Sequence, residues 1–152
     1  MVRLNFPDYA FHIVEKDGKT SIFDPVRRKY VALTPEEWVR QHVIQFLVIE
    51  KHVPLSLIRV ESEIRLYKTR KRFDIVVNDR NGNALVLVEC KAPAIPVTRD
   101  VLDQAVRYNL SVKVDYLMLT NGLQHVFCRI DPGKGGVEVI DDLPGFPDLS
   151  GD

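Results

Sequence analysis

Asp74, Glu89 and Lys91 are the residues of this 152-residue sequence whose types and spacing could do chemistry. They flank the stretch Phe73-Asp74-Ile75-Val76-Val77-Asn78-Asp79-Arg80-Asn81-Gly82-Asn83-Ala84-Leu85-Val86-Leu87-Val88-Glu89-Cys90-Lys91. It reads as two apolar, β-branched runs joined by Asn81-Gly82, the dipeptide that best tolerates the positive φ angles of a type I′ hairpin turn. With Asn81 and Gly82 as the loop, Arg80 faces Asn83, Asn78 faces Leu85, Val76 faces Leu87 and Asp74 faces Glu89. Side chains alternate along a strand, so Lys91 shares a face with Glu89. Two carboxylates and one ammonium then converge at one end of an apolar ladder.

Like charges opposed across a strand pair destabilise it, and a carboxylate pair beside a core is costly unless neutralised. A divalent cation would neutralise it: Mg²⁺ (or Mn²⁺) is commonly held by one or two carboxylates, waters and phosphate oxygens. Lys91 would then stabilise charge on a phosphate or orient a water. The other reading is a surface salt-bridge cluster in which Lys91 simply compensates the two acids. Spacing alone leaves both open.

Asp74, then fourteen residues, then Glu89-Cys90-Lys91 resembles the D…(E)xK signature of the PD-(D/E)xK nuclease superfamily, with Phe73 where some members carry proline. The segment from Asp24 to Gln41, then Gln104-Ala-Val-Arg-Tyr108-Asn109 and Thr120-Asn121-Gly122, resembles the N-terminal nuclease-like domain of type I restriction enzyme R subunits. The resemblance spans about Asp24 to Thr120. It implies an α/β, restriction-endonuclease-like fold with a mixed central β-sheet flanked by helices, and Mg²⁺- or Mn²⁺-dependent hydrolysis of DNA phosphodiester bonds. Asp74, Glu89 and the Cys90 carbonyl would be metal ligands, Glu37 would extend the metal shell, and Gln104 and Tyr108 would form a QxxxY pair facing the site. DNA is the implied substrate, and other restriction-modification subunits are implied partners. R subunits of that family continue into a helicase motor, which 152 residues cannot hold, so ATP-driven restriction is not expected of this chain.

The elements that must position these residues are legible in outline. Phe11 to Val14, a turn at Asp17-Gly18, and Ser21 to Phe23 read as a small hairpin leading into Val31-Ala32-Leu33. Thr34-Pro35-Glu36-Glu37 is a helix start, with Thr34 as N-cap and Glu37 completing a capping box. That helix runs to about Glu50, with Val39, Val43, Phe46 and Leu47 as its core stripe and Glu37, Arg40, Gln41 and Ile44 on an adjoining face. A capping glutamate already satisfies backbone N–H groups, so Glu37 has a structural reading beside the catalytic one; Glu36 is the second candidate ligand. Leu57 to Tyr67 alternates like a half-exposed strand. It leads into Lys68, Arg70, Lys71 and Arg72, a basic run that reads either as phosphate contacts beside Asp74 or as solvated strand and loop charge. Thr98-Arg99-Asp100 caps a helix to about Leu110, on which Gln104 and Tyr108 share a stripe whether or not they face a site. Strands at 112–120 and 123–130 meet at Asn121-Gly122. The glycine-rich Asp131-Pro-Gly-Lys-Gly-Gly136 lacks the residues of a P-loop and reads as a turn. Val137 to Ile140 adds an edge strand.

Composition sets bounds on the rest. Lys plus Arg and Asp plus Glu number 21 each, so no global basic field holds nucleic acid and any polyanion contact must be local. No secretory h-region and no long apolar run is present, so a cytoplasmic protein without a membrane partner is expected. Cys90 and Cys128 lie in apolar runs without CxxC spacing and read as buried structural thiols; His12, His42, His52 and His125 lack ligand spacing. The expected organisation is an N-terminal β-hairpin extension over 1–33, a nuclease-like core over 34–140, and an acidic, frayed tail over 141–152. A second functional class stays open beside the nuclease: a non-catalytic nucleic-acid-binding or assembly module that keeps the fold.

Overall fold

A computed structural model describes residues 1–66, 69–109, 112–131 and 136–150. Lys68 and most of the glycine-rich 131–136 turn lie outside the described residues. Among the described residues there are two sheets. The first is antiparallel and three-stranded, β1 (Ile13–Lys16), β2 (Lys19–Asp24) and β3 (Lys29–Ala32), with β2 central. The second is six-stranded in the order β4 (Ile58–Leu66), β5 (Thr69–Asn78), β6 (Ala84–Cys90), β7 (Tyr116–Thr120), β8 (His125–Asp131) and β9 (Gly136–Ile140). Helix α1 (Pro35–Gln45) continues through a π-helical turn at Phe46–Glu50; α2 (Arg99–Asn109) joins β6 to β7, and α3 (Phe146–Ser150) ends the fold. The β6–β7 pair is parallel and the other neighbours are antiparallel, so the sheet is mixed as expected.

Period-2 alternation explains why helices lie on both faces of this sheet. Ile75, Val77, Val86, Val88 and Met118 pack with Val39, Val43, Ile44 and Leu47 of α1. Val76, Leu87 and Leu117 pack on the other side with Leu102 and Val106 of α2. The four α1 side chains are fully buried, each worth roughly 1.5–3 kcal/mol of apolar burial. That apolar face fixes the helix, and the polar residues between its buried positions have no freedom to choose where they point.

The β5–β6 hairpin keeps the expected register in its middle: Ile75 pairs with Val88, Val76 with Leu87 and Val77 with Val86. The turn differs. Gly82 has φ 86° while Asn81 is not in the left-handed region, so the turn is not type I′. Asp79 closes a wider loop instead, its Oδ1 accepting the N–H groups of Asn81 and Asn83 at 2.8 and 2.9 Å. A bulge after Val77 pairs Asn78 with Ala84, not Leu85, and absorbs the difference.

The 141–152 tail also departs from expectation. Leu143, Phe146 and Leu149 are buried in the α1-side core, and the Phe146 N–H donates to the Lys51 carbonyl at 2.7 Å. The acids and prolines of that segment suggested fraying, but its three apolar residues fill a gap beside the end of α1, and Lys51 pairs with Asp142 at 2.6 Å. The 1–33 extension packs on the core: Leu4 belongs to the α1-side cluster and lies against Gly122, where even a Cβ would come within 2.8 Å of it.

Candidate active-site cleft

At Asp74 the sheet breaks its own pattern. Phe73 packs on the α2 side and Ile75 on the α1 side, although residues two apart in a regular strand share a face. The β4–β5 ladder skips the step between Val60/Ile75 and Ser62/Phe73, and the skipped β4 residue, Glu61, has φ 50°. A non-glycine residue in the left-handed region is strained, and such strain concentrates at functional sites. The β5–β6 ladder likewise ends at Ile75/Val88. Beyond it, Asp74 uses its side chain: Oδ2 accepts the Cys90 N–H at 2.8 Å.

The irregularity opens a cleft of about 350 Å³ whose polar lining is Glu36, Arg40, Glu61, Arg72, Asp74, Glu89, Lys91, Tyr108 and Asn109. Asp74, Glu89 and Lys91 are thus brought together. Lys91 Nζ lies 3.8 Å from Glu89 Oε1, and the Lys91 N–H is fixed by the Thr120 carbonyl at 2.8 Å. Gln104 and Tyr108 border a smaller adjoining cleft that also contains Glu89 and Lys91. The Tyr108 ring lies 6.0 Å from Phe73, and Lys71 sits over it at 4.4 Å while donating to the Tyr108 carbonyl. Lys71 is therefore committed to α2. Arg70 and Arg72 pair with Glu63 and Glu61 at 3.8 and 3.2 Å, so the basic run is compensated by acids of β4.

Glu37 stands behind the cleft. Its Oε1 accepts from Arg27 at 2.8 Å and Arg40 at 2.7 Å, and its Oε2 from Gln41 at 3.1 Å. Only half of the capping box forms: the Glu37 N–H donates to Thr34 Oγ1 at 3.0 Å, while the Thr34 N–H goes to the Ala32 carbonyl. The carboxylate expected to cap the helix is drawn away by two guanidinium groups. Glu36, the second candidate, lines the cleft.

Arg40 is the residue sequence reasoning missed. It is buried, with Nη1 on Glu37 and Nη2 donating to Glu36 Oε1 at 2.9 Å and to Asp74 Oδ1 at 3.2 Å. Burial alone would lower its pKa, but Glu37 and Asp74 outweigh that and raise it, so it stays charged. Its helical position beside Glu37 was readable; that its charge would turn toward Asp74 was not. Glu61 was missed because nothing in an alternating strand announces a skipped pair. Thr120-Asn121-Gly122 proves structural: Asn121 Nδ2 donates to the Ile95 carbonyl at 2.8 Å and its Oδ1 accepts the N–H groups of Leu123 and Gln124, tying the loop after Lys91 to the end of β7.

A divalent cation needs several hard donors turned toward one point. Among the described residues no three His, Cys, Asp or Glu side chains group to enclose a metal. Cys90 and Cys128 are buried free thiols, and burial raises the pKa of each, which disfavours a thiolate. Four carboxylates line the cleft, Glu36, Glu61, Asp74 and Glu89, and of these Asp74 and Glu89 lie on the β5–β6 hairpin. Glu89 has its carboxyl pushed up by burial, pulled down by Lys91, and pushed up again by Asp74 and Glu36. A half-buried acid whose charge is disfavoured, facing a second acid, suits a hard cation that completes its shell with water and phosphate oxygens. The set fits Mg²⁺ or Mn²⁺ and not a closed zinc site.

No functionally curated protein matches the chain. Its structure resembles a fragment assigned to an HsdR subunit of a type I restriction enzyme from Vibrio vulnificus YJ016, with a TM-score of 0.51 and 22% identity over 77% of this chain. The chain spans 24% of that fragment. A nuclease-like protein of the DUF820 group from Anabaena variabilis ATCC 29413 aligns over 91% of this chain and 87% of its own, at 13% identity and a TM-score of 0.49. The type IIG restriction endonuclease BpuSI aligns over 70% of this chain and 13% of its own, at 24% identity and a TM-score of 0.46. The sequence profile described as type I restriction enzyme R protein N terminus (HSDR_N) matches residues 35–144, from the first turn of α1 to the edge of α3, and the chain belongs to that family.

Proposed function

We propose that this domain is a metal-dependent nuclease that hydrolyses DNA phosphodiester bonds. The observation that carries the reading is the convergence of Asp74, Glu89 and Lys91 in one cleft at a break in the sheet, with Tyr108 at its wall and Gln104 beside it. Asp74 and Glu89, with the Cys90 carbonyl, would hold Mg²⁺ or Mn²⁺. When bound, the cation supplies Lewis-acid stabilisation of phosphate oxygens and lowers the pKa of a coordinated water. Lys91, anchored through its backbone to Thr120, holds a positive charge beside Glu89 and would orient the attacking water or offset charge developing on the phosphate. Gln104 and Tyr108 would position the DNA backbone. Arg72 lines the cleft, with Arg70 two residues before it on β5, and both would exchange glutamate partners for phosphates, a contact that weakens with salt. The family relationship supports DNA as substrate and other restriction-modification subunits as partners.

A second reading, a non-catalytic module that binds nucleic acid or helps assembly, is favoured by one observation: Asp74 already has a cation, Arg40, on one oxygen and the Cys90 N–H on the other. Cleavage of supercoiled and single-stranded DNA in Mg²⁺, Mn²⁺ and EDTA separates the two. Metal-dependent cutting that disappears in Lys91→Ala establishes the nuclease. Absence of cutting together with absence of Mn²⁺ binding leaves the binding module.

A further inference from the structure

We propose that Arg40 is the resident counter-cation of the cleft and that a divalent metal must compete with it for Asp74. The inference rests on the metal-dependent reading above and concerns how that metal is admitted. Three observations carry it. Arg40 lies in the cleft wall and spans two acids of its own helix and two of the sheet, with Nη2 placed between Glu36 and Asp74 and 4.0 Å from Glu61 Oε1. Its position is fixed from behind: Glu37, itself held by Arg27 and Gln41, grips Nη1. Its Nε is buried with no hydrogen-bond partner. A guanidinium normally uses its donors fully when buried, and an orphaned donor costs about 1–3 kcal/mol. Arg40 thus gives up one of its own hydrogen bonds in an arrangement that places charge on Asp74.

The consequence is a balance of two anchors. Glu37 pulls the guanidinium toward the helix and Asp74 pulls it into the cleft. A divalent cation on Asp74 and Glu89 would stand within a few ångströms of Nη2 and be repelled by it, unless Arg40 shifts onto Glu36, Glu37 and Glu61. Those three acids are already within 4.0 Å of it, so the shift needs no unfolding. Arg40 is a positioning residue in this scheme, and its effect on metal affinity is the reverse of what a supporting ligand would show.

Mn²⁺ binding to the whole chain, followed by electron paramagnetic resonance of the free ion, tests the proposal through the direction of two changes. Arg40→Gln removes the competing charge and is expected to tighten Mn²⁺ binding on the order of tenfold, the scale of one unit charge at short range in a partly screened site. Glu37→Gln weakens the rear anchor, leaves Arg40 more firmly on Asp74, and is expected to loosen Mn²⁺ binding. Asp74→Asn abolishes binding in both schemes. Circular dichroism confirms that each variant is folded; if Arg40→Gln is not, Glu37→Gln and Arg40→Lys, which keeps the charge and is expected to leave affinity near that of the parent, still decide. Weaker binding in Arg40→Gln, or tighter binding in Glu37→Gln, overturns the role of Arg40 while the metal site stands. Mn²⁺ binding that survives Asp74→Asn overturns the metal reading and this proposal with it.

Discussion

Helix α1 separates two environments built on opposite terms. On one side Trp38 and His42 meet the N-terminal segment: the Trp38 ring lies 4.4 Å from His42 and 5.1 Å from Phe11, Phe11 lies 4.7 Å from His42, and the indole N–H donates to the Val2 carbonyl at 2.7 Å. Burial holds the pKa of that imidazole below its ordinary value. On the other side Glu36, Glu37 and Arg40, drawn from the same turns, meet Glu61 and Asp74 across the cleft. The aromatic side is consistent at every level, since burial, ring contacts and hydrogen bonding all favour one arrangement. The cleft side is not: an acid with a raised pKa, a left-handed glutamate and an orphaned guanidinium nitrogen lie within one 350 Å³ space. On this helix the local rules are broken toward the cleft and kept toward the aromatic cluster.

The sharpest way to break that contrast is Lys91→Ala. It is expected to lower the DNA cleavage rate by about a hundredfold or more, the scale of losing one charge-stabilising donor, with an unchanged thermal midpoint. A variant that loses stability and keeps its rate would make the cleft a structural salt-bridge cluster. Next in size, Trp38→Ala on the aromatic side is expected to cost about 2–3 kcal/mol in urea unfolding followed by circular dichroism, because it removes a large, partly buried ring and the bond to Val2. DNA cleavage by the folded fraction should not change.

Asp74→Ala comes third, at about 1–3 kcal/mol of lost stability by the same measurement. It strips a buried guanidinium of one partner and the Cys90 N–H of its acceptor. Sequence reasoning alone leaves the sign open, since a strained pair of acids would gain stability on deletion and a stabilising scaffold would lose it. The sign is set by Arg40, whose turn into the cleft depends on the three-dimensional placement of α1.

Smaller effects follow from pH. The folded-state pKa of Glu89 lies above its ordinary value, so its contribution to stability is fully present below the normal glutamate range and is lost as pH rises through the folded value. Glu89→Gln should therefore raise the thermal midpoint at pH 8 and leave it unaltered at pH 4. An equal shift at both would assign the effect to packing. His42 and His125 behave inversely, with folded pKa values lowered chiefly by burial. Their contribution is present above the ordinary histidine range, about 6.5, and is lost as pH falls through the folded values. Both hold the N-terminal segment, His125 Nε2 bonding with the Asn5 carbonyl at 2.7 Å and its ring lying 4.4 Å from Phe6. Trp38 is the single tryptophan, so quenching of its fluorescence on acidification reports this side alone, and His42→Gln should abolish the transition.

How far the sequence was legible follows from these cases. Alternation and helical spacing placed Ile75 to Val77 opposite Val86 to Val88 and buried the Val39–Val43–Leu47 stripe, because periodicity reports burial directly. The turn was misread, yet the register survived because the bulge after Val77 compensated for the wider loop. The change of facing at Asp74 left no trace, since it depends on a skipped pair with Glu61 on another strand. Glu37 was misplaced for a related reason: a local capping signal was outweighed by Arg27 and Arg40, one of them ten residues away. At the C-terminal end, proline and acidic residues masked the spacing of Phe146 and Leu149, whose burial depends on the end of α1 being nearby.

The parallel pairing of β6 with β7 has a consequence for how the cleft comes into being. Asp74, Glu89 and Lys91 sit on one hairpin that local contacts can close early. Val86 meets Tyr116 only after the whole intervening chain from 87 to 115, including all of α2, has been laid down. Closure of so long a loop is slow relative to a hairpin. The two acids are thus placed by neighbouring stretches of chain, whereas the wall that carries Gln104 and Tyr108 depends on the longer crossover, the slower of the two closures.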